Sequence, residues 1–191
     1  MYNKDTYINI WVTMLKDRTK LLFAETLKTL LEKKEFQDVR ITDICKIIGC
    51  QRKTFYYHFE DKYQLAGWIY IHCMKELWDP EYGPYDFVNN YAKGLDLLRE
   101  DLTFYRKVLA DEALSGVYKH IVRYGDELFI KMITGKGQTI DDELSFMIHY
   151  SSLAQFSVVR EWIFDNDPLP SLKLVEKIVN NFPEKLRNFL I

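Results

Sequence analysis

Helical periodicity is the strongest constraint that this sequence places on its fold. Apolar residues recur every three or four positions along nearly the whole chain, and no stretch shows the sustained alternation of a β-strand. The first such pattern runs from Asp17 to Lys34, with Phe23, Leu27 and Leu31 on one face. With 48% hydrophobic residues in a chain of 191, these helices can bury a core. The sequence therefore predicts an all-α protein.

Breaks in the periodicity divide the rest of the chain into further helices. They are predicted over 41–48, 52–58, 62–77, 86–99, 102–113, 116–133, 141–164 and 171–181, and Pro183 begins a last turn or short helix. The segment 79–84, Asp-Pro-Glu-Tyr-Gly-Pro, is the clearest break because proline and glycine both interrupt helices. We therefore predict two domains, 1–78 and 86–191.

Two short helices separated by a glycine turn lie in the first domain. Gly49 allows the sharp reversal between helices 41–48 and 52–58. Phe55 and Phe59 lie four residues apart and would hold the second helix against the core. This spacing is typical of a helix-turn-helix, in which the second helix projects into the major groove of DNA. We place the motif at 41–59.

The outward face of the second motif helix is cationic and aromatic. It carries Arg52, Lys53, Tyr56 and Tyr57, with His58 and Lys62 just beyond. Cationic side chains can pair with guanine or with phosphate, while tyrosine hydroxyls and imidazole can donate to phosphate oxygens. Residues 1–78 also carry 13 Lys and Arg against 10 Asp and Glu, whereas the remainder carries 13 against 18. The first domain is therefore the one suited to a polyanion.

The residues from Ile44 to Leu65 resemble the DNA-binding domain of TetR/AcrR-type transcriptional regulators. The matching run reads Ile-Cys-x-x-Ile-Gly-Cys-Gln-Arg-Lys-Thr-Phe-Tyr-Tyr-His-Phe-x-Asp-Lys-x-x-Leu, and its many fixed offsets make the similarity specific. The form around His58, followed by Trp68, is most similar to regulators of dihydroxyacetone kinase operons. The resemblance is strong over 17–78 and weaker over 86–191.

This resemblance implies DNA-contacting roles for the matching residues. Arg52, Lys53, Tyr56 and Tyr57 would face bases and adjoining backbone, and Thr54, His58 and Lys62 would hold phosphates. Two departures from the family pattern leave alternatives open. Arg40 replaces the usual Thr or Ser N-cap of the first motif helix, so either Thr42 caps it or Arg40 contacts phosphate directly. Gln51 replaces the common serine and either contacts a base or caps the second helix.

The resemblance also implies that the second domain binds an effector and forms a homodimer. Helix 141–164 is apolar around much of its circumference and would pack on a symmetry mate, with 171–181 completing a four-helix interface. The expected interface residues are Leu153, Phe156, Val159, Trp162, Ile163, Leu174 and Ile178. The expected pocket residues, aromatic or methionine, are Tyr91, Phe104, Tyr105, Tyr118, Tyr124, Met132, Met147 and Tyr150. A small-molecule effector would change the spacing of the two recognition helices and hence the affinity for a palindromic operator.

Other chemistry-bearing residues indicate neither catalysis nor a resident metal or cofactor. Cys45 and Cys73 fit as small buried hydrophobes, and with Cys50 they give an odd number that cannot all pair. No surrounding feature lowers a thiol pKa, which favours a structural role over a redox switch. No catalytic triad, phosphate-binding glycine loop or metal-ligand set supports the alternative of a small helical enzyme.

The sequence therefore predicts a bacterial DNA-binding regulator, most often a ligand-responsive repressor in this family. The alternative within the same branch is a co-activator that acts with a protein partner, which binds the effector. No apolar run is long enough to span a bilayer, and no convincing signal peptide precedes the first domain, so a soluble cytoplasmic protein is expected.

Overall fold

The computed structural model describes residues 4–78, 86–110 and 116–190, with side chains from Arg18 onward. These residues form ten α-helices and no β-strand, which confirms the all-α prediction. The helices are α1 (Lys4–Leu31), α2 (Ile41–Ile48), α3 (Arg52–His58), α4 (Lys62–Met74), α5 (Phe87–Glu100), α6 (Leu102–Ala110), α7 (Val117–Gly135), α8 (Asp142–Phe164), α9 (Ser171–Asn180) and α10 (Glu184–Leu190). Short 3₁₀ turns lie at Phe36–Asp38 and Lys75–Trp78.

Most predicted helix bounds agree with the structure to within a few residues, but the first helix does not. α1 begins at Lys4 instead of Asp17 and ends at Leu31 instead of Lys34. No proline or glycine occurs between Lys4 and Leu31, so no residue in this stretch interrupts the helix. The predicted break at 79–84 and the predicted helix beyond Ala110 lie outside the described residues.

The chain divides into two compact units, one ending at Ala66 and the other beginning at Gly67. This division falls inside α4, so a continuous helix belongs to unit 1 in its first turn and to unit 2 afterwards. The functional limits inferred from the sequence, 1–78 and 86–191, stay a prediction.

Aromatic packing forms the core of unit 1. The Phe23 ring of α1 meets Phe55 of α3 edge-on at 5.2 Å between centroids, and it meets Phe59 at 6.2 Å. Ile44 of α2 and Leu65 of α4 are fully buried in the same unit. Burying each of these side chains stabilises the fold by about 1.5–3 kcal/mol. α3 is therefore anchored by one face only, and its other face is left to solvent.

Unit 2 is built from pairs of packed helices. α5 packs on α9, while α7 and α6 both pack on α8. The Phe129 ring lies 6.0 Å from Phe87 and 5.8 Å from Phe182. A Cβ on Gly67 would lie 2.7 Å from the Cβ of His120, so only glycine permits the close approach of α4 and α7. None of the described helices combines the length and apolarity that crossing a bilayer requires.

Candidate nucleic-acid interface and effector cavity

The turn between α2 and α3 has the geometry that the sequence predicts. Gly49 ends α2 with φ 74° and ψ 31°, in the left-handed region where other residues are strained. The N–H groups of Gly49 and Cys50 both donate to the carbonyl of Cys45. These two bonds close the last turn of α2 on the Cys45 carbonyl and fix the direction in which the chain enters α3.

The N-terminus of α2 is capped at Arg40. Its backbone N–H donates to Asp43 Oδ2 at 3.3 Å, and Lys34 Nζ donates to the same oxygen at 2.9 Å. The Lys34 bond, then the Arg40 bond, lowers the pKa of Asp43. Thr42 lies inside the first turn of the helix and is exposed, so the expectation that it replaces the missing cap is wrong. The Arg40 side chain is exposed and remains a candidate for phosphate contact.

The outer face of α3 is open to solvent along its whole length. Gln51 occupies the N-cap position with extended backbone, yet its side chain makes no capping hydrogen bond. The exposed residues of the face are Gln51, Arg52, Lys53, Thr54, Tyr56 and Tyr57. Tyr57 is 68% exposed and Tyr56 is 47% exposed, whereas Phe55 between them is fully buried. The predicted DNA-contacting side chains of α3 therefore share one accessible face.

Arg52 and Tyr56 form a pair on this face. An Arg52 Nη2 group donates to the Tyr56 hydroxyl at 3.0 Å, and the guanidinium carbon lies 5.6 Å from the centre of the tyrosine ring. The hydrogen bond also raises the pKa of Arg52. Because residues four apart lie on one side of a helix, this pair holds the guanidinium over the start of α3 with donors remaining. Such a planar fork matches the O6 and N7 acceptors of guanine or a phosphate.

His58 and Lys62 lie deeper than the rest of the predicted set. The His58 ring packs 5.9 Å from Phe23 and 5.0 Å from Tyr57, so it supports the tyrosine from below. Lys62 Nζ donates to the carbonyls of Phe36, Gln37 and Val39 at 2.7, 3.0 and 3.2 Å. These bonds indicate a structural role for Lys62, because its ammonium holds the turn that precedes α2, and the phosphate contact stays a prediction.

Replacing Lys62 with methionine is expected to lower the free energy of unfolding by about 1–2 kcal/mol. Methionine keeps an apolar stem but leaves three carbonyls without their charged donor, and solvent around the half-buried ammonium moderates the loss. Urea denaturation followed by circular dichroism measures the change. Lys33→Met, at an exposed position, is the matched control and should stay within about 0.5 kcal/mol of the parent. An unchanged midpoint with weakened DNA binding would instead assign Lys62 to phosphate.

Unit 2 contains a mostly apolar cavity of about 70 Å³. Its walls come from the second half of α4, the turn after it, and helices α5, α6, α7 and α8. A single water needs roughly 10–15 Å³ by this measure, so the space suits a molecule of several non-hydrogen atoms. Burial raises the pKa of Tyr124 in this wall to about 12, so its phenol stays neutral. The buried Oγ of Ser152 has no hydrogen-bond partner among the described residues.

Only Tyr91 and Tyr124 of the predicted pocket residues line this cavity. Tyr105 is buried beside Cys73, and Tyr118 packs on Phe156 instead. Four others lie elsewhere: Phe104, Met132, Met147 and Tyr150. Several lining residues were not predicted, among them Tyr70, Met74, Trp78, Ser152 and Arg160. The apolar spacing of α4 signals burial, but it does not tell a cavity wall from packed core.

Most residues of the predicted dimer interface are buried within their own chain. Val159, Trp162, Ile163, Leu174 and Ile178 are buried within unit 2, and Phe156 lines the cavity. Leu153 is half-buried. Helical periodicity identifies an apolar face but not what covers it, and here other helices of the same chain cover these side chains.

The solvent face of α8 carries a different set of residues. Phe146 is 71% exposed and Tyr150 is 58% exposed, and their rings stack 6.4 Å apart. Ala154 and Val158 continue the same face at intervals of four and are also exposed. We name this row, Phe146, Tyr150, Ala154 and Val158, the α8 stripe. Aromatic side chains are enriched at protein–protein interfaces relative to the rest of the surface.

No group of three or more His, Cys, Asp or Glu side chains that could hold a metal ion occurs among the residues that the structure describes. Three features are the candidates for function: the outer face of α3, the unit 2 cavity and the α8 stripe.

Comparisons with known proteins give a consistent picture. No protein-family model matches the chain. The chain is 25% identical over 178 residues to the HTH-type dhaKLM operon transcriptional activator DhaS of Lactococcus lactis subsp. lactis (strain IL1403), covering 90% of this chain and 92% of that protein. It matches the solved fold of a dihydroxyacetone kinase operon activator DhaS with a TM-score of 0.58, 23% identity and 91% and 98% coverage. A tetR-family transcriptional regulator from Streptomyces coelicolor matches with a TM-score of 0.55, 13% identity and 91% and 87% coverage.

Proposed function

We propose that this chain, a TetR-type transcriptional regulator related to DhaS, binds operator DNA as a homodimer through the outer face of α3. The observation that carries the proposal is the division of α3 into two faces. Phe55 is fully buried, while Arg52, Lys53, Tyr56 and Tyr57 are exposed together. A recognition helix needs this division, because one face must fix its position while the other enters the major groove.

Selection of bound DNA from a random duplex pool tests this proposal. A two-fold dimer should enrich an inverted repeat whose half-sites are separated by about one helical turn, roughly 10–10.5 bp, or by a multiple of that distance. Exposed cations and tyrosine hydroxyls on α3 would then contact bases and phosphates in each half-site. Recovery of unenriched sequences, with binding that disappears at moderate salt, would contradict operator recognition.

The α8 stripe supports a homodimer of two-fold symmetry. Such an interface uses the same surface on both subunits, so one self-complementary row of side chains is sufficient. The stripe offers two large rings, Phe146 and Tyr150, followed by the small side chain of Ala154, which allows two helices to approach closely. We therefore assign the subunit interface to the stripe instead of to the buried residues expected from the sequence.

The direction of regulation is proposed to be activation. The repressor role expected from the wider family has less support, because the curated relative over 90% of this chain is named a transcriptional activator. A reporter gene placed downstream of the selected operator tests the sign. Expression that rises when the chain is present supports activation, and expression that falls would restore the repressor assignment.

The unit 2 cavity supports binding of an effector by the chain itself. Its apolar walls favour a small molecule with a mostly apolar body, and Ser152 Oγ and the Tyr124 phenol offer hydrogen bonds to one polar group. Tyr70 and Met74 of the wall lie on α4, the helix that begins in unit 1. A ligand that moves these side chains would act directly on a helix shared by both units, which gives it a route to operator affinity. The co-activator alternative, in which a partner holds the effector, requires no such cavity.

Phenol and toluene are suitable probes of this cavity because phenol carries a hydroxyl where toluene carries a methyl group of similar size. Phenol at millimolar concentration is expected to raise the melting temperature by a few degrees, as any ligand specific for the folded state does. Ser152→Ala should weaken phenol binding about 5–10-fold, as expected for one lost hydrogen bond, and leave toluene binding unchanged. Equal effects of the substitution on both probes would show that the hydroxyl does not bind the ligand.

A further inference from the structure

We propose that Cys45 and Cys50 are a modification site, a dithiol that low-molecular-weight disulfides oxidise reversibly to an intramolecular disulfide across the helix-turn-helix turn. The consequence for DNA binding rests on the proposed function, whereas disulfide formation itself does not. Cys45 lies in α2, and Cys50 lies in the turn between Gly49 and the N-cap of α3. The two thiols therefore flank the turn that directs the recognition helix.

The backbone brings these two residues within the reach of a disulfide. The N–H of Cys50 donates to the carbonyl oxygen of Cys45 at 3.0 Å. Standard bond lengths then limit the separation of their Cα atoms to about 7 Å or less. Disulfides span Cα separations of roughly 4.4–6.8 Å. The left-handed conformation of Gly49 produces this approach, because it folds the chain back over the last turn of α2.

The side chains also influence each other. After burial, the neighbouring Cys50 thiol is the next cause that raises the pKa of Cys45, which places the two thiols near one another. Cys45 is buried, whereas Cys50 is half-buried and therefore open to a reagent from solvent. A protected thiol close to an accessible one is the arrangement in which an attacked cysteine is resolved by its neighbour.

The chemistry proceeds by two thiol–disulfide exchanges. The Cys50 thiolate attacks a small disulfide RSSR, which forms a Cys50–SR mixed disulfide and releases RS⁻. The Cys45 sulfur, as it loses its proton, then attacks the Cys50 sulfur, forms the Cys45–Cys50 bond and expels a second thiol. Two cysteine thiols are oxidised and one RSSR is reduced to two RSH, so atoms and electrons balance.

Burial and the neighbouring Cys50 thiol raise the pKa of Cys45 to about 11, so the second exchange should be the slow one at neutral pH. Its rate should increase as the pH rises toward that value, because the thiolate is the attacking form. This behaviour distinguishes a resolving thiol from a cysteine that merely fills space in the core.

The disulfide is expected to weaken DNA binding. Closing the bond brings the two sulfur atoms to about 2.05 Å, so Cys50 must move toward α2. Gln51 and Arg52 follow Cys50 directly and form the start of α3, and the Arg52 charge already lies near enough to Cys45 to affect its pKa. A shift at this point displaces the side chains proposed to enter the groove, and displacement of about 1 Å is enough to disrupt bidentate pairing.

Treatment of the full chain with oxidised glutathione tests the proposal. The remaining thiols are blocked with an alkylating reagent, and the site is mapped by intact mass and by linked peptides. We expect a chain two hydrogens lighter, with Cys45 joined to Cys50 and only Cys73 alkylated. Binding of the selected operator, measured by fluorescence anisotropy, should fall at least 10-fold and recover after reduction with dithiothreitol.

Cys50→Ser and Cys73→Ser are the paired variants. Cys50 is half-buried, so serine preserves the fold, and this variant should keep its DNA affinity in the presence of oxidised glutathione. Cys73→Ser should respond as the parent does. A glutathione adduct on Cys50 without the link to Cys45 would overturn the proposal, and so would a linked chain with unchanged operator affinity. If the reduced chain binds no DNA, the proposed function fails, and the mass of the oxidised chain still decides whether the disulfide forms.

Discussion

Replacing Ala154 with glutamate is expected to convert the proposed dimer into monomers and to lower operator affinity by a factor of about 10²–10⁴. Ala154 lies in the middle of the α8 stripe, four residues from Tyr150 and four from Val158, and is exposed. In a two-fold interface the new carboxylate would lie near the same carboxylate of the partner subunit. The two like charges would repel each other in a place from which water is excluded. A monomer then binds each half-site separately and loses the gain in affinity that comes from linking two sites.

The fold of the variant should be preserved, because glutamate is a good helix former and the position is not part of the unit 2 core. Light scattering after size-exclusion chromatography measures the mass, and circular dichroism checks the helix content. Thr103→Glu adds the same charge at an exposed position of α6 and should remain dimeric. A dimeric Ala154→Glu chain would show that the subunits associate through some other surface.

The second large effect is expected for Arg52→Ala, which should weaken operator binding by about 1–3 kcal/mol for each half-site. The Tyr56 hydroxyl holds the guanidinium at 3.0 Å on the exposed start of α3, which reduces the rotamer entropy lost on contact with a base. Anisotropy titrations against the selected operator and a scrambled duplex, at two or more salt concentrations, separate two modes of contact. If Arg52 contacts a base, the substitution weakens binding to the operator alone. If it contacts phosphate, the substitution weakens binding to both duplexes and reduces the salt slope by about one.

Two further variants test whether Tyr56 positions Arg52 and whether the loss of any one positive charge would have the same effect. Tyr56→Phe keeps the ring but removes the hydroxyl, so it should cost less than Arg52→Ala if Tyr56 serves to position the guanidinium. Lys177→Ala removes the same charge from an exposed position of α9 and should leave operator affinity unchanged. Parent-like binding by Arg52→Ala on every duplex would exclude Arg52 from the interface.

The recognition motif was predictable because its determinants are local. Gly49 sets the turn, and Phe55 and Phe59 select the inner face of α3 through their spacing in the sequence. The exposed positions of Arg52, Lys53 and the two tyrosines follow from the same periodicity, since a helix with one anchored face must present the other. A family resemblance over this segment agreed with the periodicity and added the expectation of DNA contact.

Long-range contacts were not predictable by the same reasoning. Lys62 binds carbonyls more than 20 residues earlier in the chain, at Phe36, Gln37 and Val39. A lysine at the start of a helix has the same local pattern whether it binds phosphate or protein. Its role therefore depends on how the turn before α2 lies against α4, which periodicity does not specify.

Local sequence was enough to predict the helical class, the bounds of most helices and the face of α3 that meets solvent, because these depend on backbone propensity and on residues within a few positions of each other. Packing in three dimensions separates the apolar side chains of α8 into those in the core, those that line a cavity and those that form the exposed stripe. Phe156 and Phe146 illustrate the difference, since both are phenylalanines on one helix, and only the helices packed beside them leave one at the cavity and the other in solvent. Burial is a property of the neighbours that a residue acquires on folding, and those neighbours lie far away in the chain.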